Sequence, residues 1–579
     1  MAQPLKDFSV TDFTGGIVNK SDYQMKSNEV KRSVNFDLDE VGRVKRRRGI
    51  QQIGPTTGAT ERVFASTTAT FHPTTGQRVA QLVATDAGSG QYSLYRLVGN
   101  YLTAAAAVSD TTLTVASNAL LATSGTVEIN GDEIAYTGKS GATGLTGVTG
   151  IARAHIAFSM VNQFEVLVAG GGINPRGGIY FSYLNGNVIV NGTDDSTLWE
   201  PAGGFTGITP PFGVFATNYR NRIYLAGSGA NGTNSSGLRV SFSNAGTAAT
   251  WTTATDYFDV EDNLGEPVQG LAVLNDRLGI FKPNSIWTYD EVELKQRVTG
   301  VGAYTHDVVK QIGSLIYTFG PTGVWVTNLF SATKISKPIE PYLKGFNPRY
   351  TRDGFGKNVV NCFAGTFENK YFLYIGSITE PETLSDVVLV YDTIHKNWTI
   401  YTGFTNFAHL ASFPEWHADF KVGAAGVTVA QTRAAFFGGD NVGKYYRLFE
   451  NRFIDNQSTQ TNRGTDLTND TLTTTQNPIS AELETKFYDL GSPQWYKDFG
   501  YIMVLVERGD FNVSYRVDKG NGVFTDWNTL GNFRATSNRV RITEQGYRIS
   551  FKFTTNTANT IPILNGFIIE DAHATRKRK

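Results

Sequence analysis

Seven histidines, His72, His155, His306, His395, His409, His417 and His573, are the first place to look for acid–base or metal chemistry. They are scattered singly, and none meets a second His or Glu at a zinc-ligand spacing such as H-E-x-x-H. No Ser stands on a G-x-S-x-G elbow, where a nucleophile would be held at a sharp strand-to-helix turn. Two acidic pairs, Asp194-Asp195 and Glu261-Asp262, have the composition of a glycoside-cleaving carboxylate couple. Nothing in the spacing brings them together, and Asp at such positions ordinarily caps its own turn. Gly438-Gly439-Asp440-Asn441-Val442-Gly443-Lys444-Tyr445 approaches a phosphate loop in outline. It lacks the Ser or Thr that holds magnesium and runs on into a strand pattern, so no helix N-terminus receives a phosphate, and a hairpin turn is expected there. The single cysteine, Cys362, has no partner for an intramolecular disulfide and is expected to be buried in a strand.

A basic run, Arg43, Lys45, Arg46, Arg47 and Arg48, is the one cluster of like charge with a candidate binding role. It is a candidate contact for DNA or for a neighbouring subunit; the alternative is a solvated strand edge. Over the whole chain 52 Lys and Arg balance 52 Asp and Glu. A protein that grips nucleic acid tightly draws most of its affinity from a basic excess, which is missing here. Neutrality is compatible with DNA that slides past without sequence-specific binding. No metal and no cofactor is implied. The opening MAQPLKDFSV has no apolar signal core, and no run reaches the ~20 apolar residues of a membrane-spanning helix. Assembly in a cytoplasm is the expectation.

The elements that position these residues are strands. Of 579 residues 61 are Gly, aromatics reach 12% and charged residues only 18%, a balance favouring pleated strands and tight turns. Residues 1–60 read as an extended arm with first strands. From 61 to 475 a unit recurs about every 40–60 residues, a period typical of propeller blades. Each unit is an alternating strand, an Asn/Asp/Gly turn and a second alternating strand with an aromatic. Arg277-Leu278-Gly279-Ile280-Phe281 followed by Ser285-Ile286-Trp287-Thr288-Tyr289 is one instance. The expected fold is an all-β propeller of six or seven blades over residues 61–100 and 159–475, with stacked sandwiches as the rival. Residues 101–158 read as an inserted small β domain. A polar linker over 455–477 precedes a C-terminal β-sandwich, 476–579, which ends in the basic tail Arg576-Lys577-Arg578-Lys579.

The arm carries Phe13-x-Gly15-Gly16-Ile17, then Asn35-Phe36-Asp37, then Gly42-x-Val44-x-x-Arg47-x-Gly49. This series resembles the start of many phage tail proteins. The stretch from Val268 to Phe281 with Ser285-Ile286-Trp287 is similar to the tail nozzle, or tail hub, family of short-tailed phages. The insertion, with Gly131-Asp132-Glu133-Ile134-Ala135-Tyr136-Thr137 and Arg153-Ala154-His155, resembles a small β module of phage virion proteins. What the resemblance implies is a homo-oligomeric ring of six copies in the virion tail. It would be stacked below a head-to-tail adaptor protein and would carry tail fibres or spikes around a channel for double-stranded DNA. No point residues transfer, because the family's role lies in surfaces. Two other classes remain open from sequence: a tail-tip adhesin whose loops near Trp199 and Trp416 stack on host glycan, and a propeller glycosidase using Asp194 or Glu261.

Overall fold

In the computed structural model the described residues are 3–38, 42–57, 61–71, 78–88, 91–157, 159–171, 180–184, 187–191, 196–200, 204–208, 211, 213–227, 237–252, 254–262, 264–344, 346, 350–352, 358–360, 362–415, 433–450, 478–537, 539–557 and 560–575. Among them, strands dominate, and the longest helical piece is the single turn Glu340–Lys344. No helix there is long and apolar enough to cross a membrane.

Among the described residues, seven antiparallel sheets follow one another along the chain. The first runs outward from Arg62–Phe71 through Arg78–Gly88 and Gln91–Tyr101 to Met160–Gly171. The next four begin at Tyr180–Leu184, Phe215–Tyr219, Gly270–Leu274 and Lys310–Ile312, and each has four strands in sequence order. The sixth spans Phe363–Phe367 to Asn397–Tyr401, and the seventh begins at Phe407–Glu415. The first strands of consecutive sheets lie side by side, except that Gly270–Leu274 of the fourth meets Leu315–Gly320 of the fifth, and Phe407–Glu415 packs against Arg62–Phe71 to close the circuit. This is a β-propeller. No single four-stranded sheet buries both of its faces, and radial stacking covers them.

The turns between first and second strands explain why the sheets form where they do. Arg220 and Asn221, Asn275 and Asp276, and Glu368 and Asn369 all hold positive φ, between 43° and 60°. Two successive residues in that region make the hairpin turn whose twist matches flanking strands, and Asn and Asp tolerate it best.

Closure uses a strand from the other end of the chain. Residues Gly49–Gln52, at the end of the arm, pair with Tyr445–Glu450 as the outermost strand of the seventh sheet. Ile50, fully buried, packs there with Phe372, Phe436, Tyr446 and Leu448. The rest of the arm is equally committed. Glu29–Val34 runs between Asn397–Tyr401 of the sixth sheet and Ala481–Thr485, so propeller and C-terminal domain share one continuous sheet of eleven strands. Phe36–Leu38 and Val44–Arg46 enter the opposing sheet of the C-terminal β-sandwich beside Ile563–Glu570. The sandwich core, with Phe36, Val44, Phe511, Phe551, Phe553 and Phe567, is continuous with that of the fourth to sixth sheets.

The inserted β domain lies between the third and fourth strands of the first sheet. Its hairpin Gly125–Ile129 and Asp132–Tyr136 extends that sheet at its outer edge, and a three-stranded sheet covers it. Leu113, Val115, Ile129, Ile134 and Tyr136 form its own core.

Candidate functional site

The basic run divides on folding. Arg46 and Arg47 are each 1% exposed. Arg46 donates to the carbonyls of Ile479 (3.2 Å), Thr557 and Thr560 (3.0 Å). Arg47 donates to Asn35 Oδ1 at 2.9 Å and to the carbonyls of Arg48 and Thr402 at 3.0 and 2.8 Å. Its guanidinium also lies over the rings of Tyr401 and Phe404. These two side chains therefore serve this chain's own backbone: no guanidinium is left at the surface for DNA or a neighbour. Arg43 pairs with Glu507 at 2.9 Å, while Lys45 and Arg48 are half-buried.

Lys45, Arg46 and Arg48 line a cavity of about 330 Å³ where arm, sixth and seventh sheets and sandwich meet. Lys370, Arg508, Asp37 and Glu368 complete its charged lining, and Phe367, Phe372, Tyr401 and Phe449 are among its rings. Asp37 accepts hydrogen bonds from Lys370 Nζ (2.7 Å) and from the Tyr401 hydroxyl. Burial alone would push the Asp37 carboxyl up. The Lys370 ammonium and the two hydrogen bonds outweigh it and hold the group below the usual carboxylate range. Burial would likewise lower Lys370, yet Asp37 raises it above its ordinary value. The pair is thus ionised and mutually satisfied.

A second polar cluster occupies the propeller axis, where the first strands begin. Tyr180 donates to Asp307 Oδ2 at 2.9 Å, and Asp307 also feels the charges of Lys310 and Arg62. Burial pushes Asp307 up and Lys310 down, each opposed by its partner's charge. His306 stacks on Phe215 with centroids 4.9 Å apart, and its Nδ1 accepts from Leu271 N at 3.2 Å. His409 Nε2 accepts from Ser66 N at 3.0 Å. Burial, reinforced by the Lys310 charge, lowers both imidazoles to about 3. They are neutral acceptors near pH 7 and poor proton carriers.

The remaining candidates fall into structural roles. Asp262 takes Lys282 Nζ at 2.9 Å and the N–H groups of Leu264 and Glu266, which overcome burial and lower its carboxyl. His395 sits beside Asp392 at 3.1 Å. Asp132 meets Arg153 at 2.8 Å and lies 3.4 Å from His155, so the residues by which the insertion resembles a virion module come together. Residues 438–445 form the hairpin joining Arg433–Asp440 to Tyr445–Glu450, with Asp440 Oδ1 accepting from Val442 N and Lys444 N. Cys362 is buried, which raises its thiol. Asp194, Asp195, His72, His417, Trp416, the linker 455–477 and the tail 576–579 lie outside the described residues, as does the Trp199 side chain. Among the described residues no cluster of three His, Cys, Asp or Glu is arranged to hold a metal ion.

The arm's cations are legible in the sequence, but the Asp37–Lys370 pair beside them is not, nor is Arg508, which reaches the cavity from hundreds of residues away. The axial group was missed too, because Arg62, Tyr180, Asp307 and Lys310 stand alone in sequence.

No family model matches the chain, and no curated protein matches it. Three solved structures overlap it at low similarity. Sqt1 of Saccharomyces cerevisiae has 10% identity and TM-score 0.33, covering 69% of this chain and 99% of that one. BamB from Moraxella catarrhalis has 7% identity and TM-score 0.28, covering 61% and 100%. The phage phi92 endosialidase has 10% identity and TM-score 0.24, covering 54% and 63%. Overlaps this weak leave the functional argument to the chain's own geometry.

Proposed function

We propose that this chain is a non-enzymatic structural protein of a bacteriophage tail, a subunit of the nozzle ring of a short-tailed phage. Six copies surround a channel through which the genome leaves, below the head-to-tail adaptor and carrying fibres or spikes. One observation carries the reading: the arm residues that resemble the start of many phage tail proteins are among those that weld propeller to sandwich. Gly16 holds φ +60°, and a Cβ there would stand 2.6 Å from Asn397 of the sixth sheet. Asn35 binds Thr402, Ser480 and Arg47; Asp37 binds Lys370 and Tyr401. A shared sheet and buried polar joints suit a part that must transmit load without hinging. Asp37, Asp262, Asp307, His306 and His409 are engaged in internal contacts, which fits a role in surfaces rather than turnover.

Electron microscopy of the purified chain at high concentration, and of the parent particle decorated with antibody against it, tests the reading. The expected result is a closed ring with a bore wide enough for duplex DNA, located in the tail. A chain that stays monomeric and is missing from the particle's tail overturns it.

A further inference from the structure

We infer that the cavity between arm, propeller and sandwich is a binding site for a small oxyanion, a phosphate or carboxylate borne on a compact apolar or ring-shaped body. Its charged lining is five cations, Lys45, Arg46, Arg48, Lys370 and Arg508, against the two carboxylates Asp37 and Glu368. Asp37 is already matched by Lys370 and Tyr401, so it does not offset the other cations. The guanidiniums of half-buried Arg48 and exposed Arg508 make no hydrogen bond or close ion pair among the described residues, although Arg48 contributes its charge to the field at Asp37. Two guanidiniums at one cavity, Arg48 from the link between two arm strands and Arg508 from the end of a sandwich strand more than 400 residues on, carry the planar donor forks that match carboxylate and phosphate.

The rest of the wall limits what the anion is attached to. Phe367, Phe372, Tyr401 and Phe449 supply apolar and aromatic surface beside the charges, and Ile561 and Ile563 extend it. A volume of about 330 Å³ lies at the lower end of the range for small-molecule sites. It accommodates one anionic group with a body about the size of a single ring and excludes duplex DNA. The site is independent of the nozzle reading: it rests on one chain alone and requires no ring.

The test is calorimetric titration of the full chain with inorganic phosphate and, separately, with benzoate, at low ionic strength against matched chloride. Thermal unfolding with each anion provides a second readout that does not depend on binding heat. Arg48→Gln and Arg508→Gln remove side chains without close partners, so the fold should survive; circular dichroism verifies this. Saturable binding of either anion, weakened at least tenfold in each variant and abolished in the double variant, is the expected result. Phosphate alone assigns a phosphate ligand, and benzoate alone a carboxylate on a ring. No saturable binding and no rise in melting temperature with either anion overturns the inference. So does an affinity unchanged in the double variant.

Discussion

Asn35 accepts the Nε–H of Arg47 at 2.9 Å and the backbone N–H of Thr402 at 2.8 Å on the same side-chain oxygen. Its amide nitrogen donates to Thr402 Oγ1 and the Ser480 carbonyl, and its backbone sits at φ 58°. One side chain thus ties together the arm, the sixth sheet and the start of the sandwich. Asn35→Ala removes four hydrogen bonds, one buried and three partly buried, and leaves an Ala in a left-handed conformation. The expected loss is about 2–4 kcal/mol, read as a lowered urea midpoint. Asn35→Gly keeps the conformation and should recover part of that loss, whereas equal destabilisation by both would mean that backbone strain plays no part.

The two axial histidines set a pH dependence. Their folded-state values of about 3 lie below the ordinary 6.5. A depressed value means that the unfolded chain takes up the proton first, so the contribution is intact above pH 6.5 and is lost as pH falls toward 3. The slope is at most ~1.4 kcal/mol per pH unit for each histidine. Asp307, raised by burial, works in the opposite sense: its contribution is present at low pH and lost as pH rises through its elevated value. The histidine effect is therefore best isolated by substitution. His306→Asn and His409→Gln each retain an acceptor for the N–H of Leu271 or Ser66. Each should flatten the decline of the urea midpoint between pH 6.5 and 4, and an unchanged slope would show that the imidazoles are protonated in the native state.

The strands that sequence displayed are the middle pairs of the sheets. Arg277–Phe281 and Leu315–Gly320 are buried at every position after the first, as expected of strands covered on both faces, and Ser285–Tyr289 and Gly323–Thr327 mix buried with half-buried residues. First and last strands were harder to see. Lys310–Ile312 is short and polar because it faces the axis, and Leu294–Thr299 is charged because it lies on the rim. The strand Gly49–Gln52 was invisible as a propeller strand, since its partner lies almost 400 residues away. The same non-locality hid the cavity. Arg48 is conspicuous within a basic run, but nothing in the surroundings of Lys370 or Arg508 marks them as its neighbours.

Cys362 offers a probe of propeller opening. The side chain is 2% exposed, and burial raises the thiol well above its ordinary value, so little thiolate forms at neutral pH. In the native chain Ellman's reagent should report essentially no reactive thiol over an hour at pH 8. In urea it should report one per chain. Because Cys362 precedes the inner strand of the sixth sheet, labelling under mildly denaturing conditions should track separation of that strand from its neighbours. Rapid native labelling would place the thiol in an open state that the packing does not allow.

The seam where the ring closes is narrow enough to be broken by one methyl group. Gly439, in the second strand of the seventh sheet, faces Val63 at the start of the first sheet. A Cβ built at Gly439 falls 2.3 Å from both the Cβ and Cγ1 of Val63. Val63 is fully buried with Phe437 and Tyr445 in the core between these sheets, so it has nowhere to retreat. Gly439→Ala should cost about 1–3 kcal/mol through overpacking. Val63→Ala is not an adequate rescue, because the offending Cβ remains. Val63→Gly removes it at the expense of a cavity, and in that background the added methyl group has room. The double variant should therefore be more stable than the sum of the single losses by about 0.5–3 kcal/mol, a coupling of the size seen for residues in contact. Strict additivity in urea denaturation would mean that the first and seventh sheets do not meet at these residues, and closure of the propeller would then need another seam.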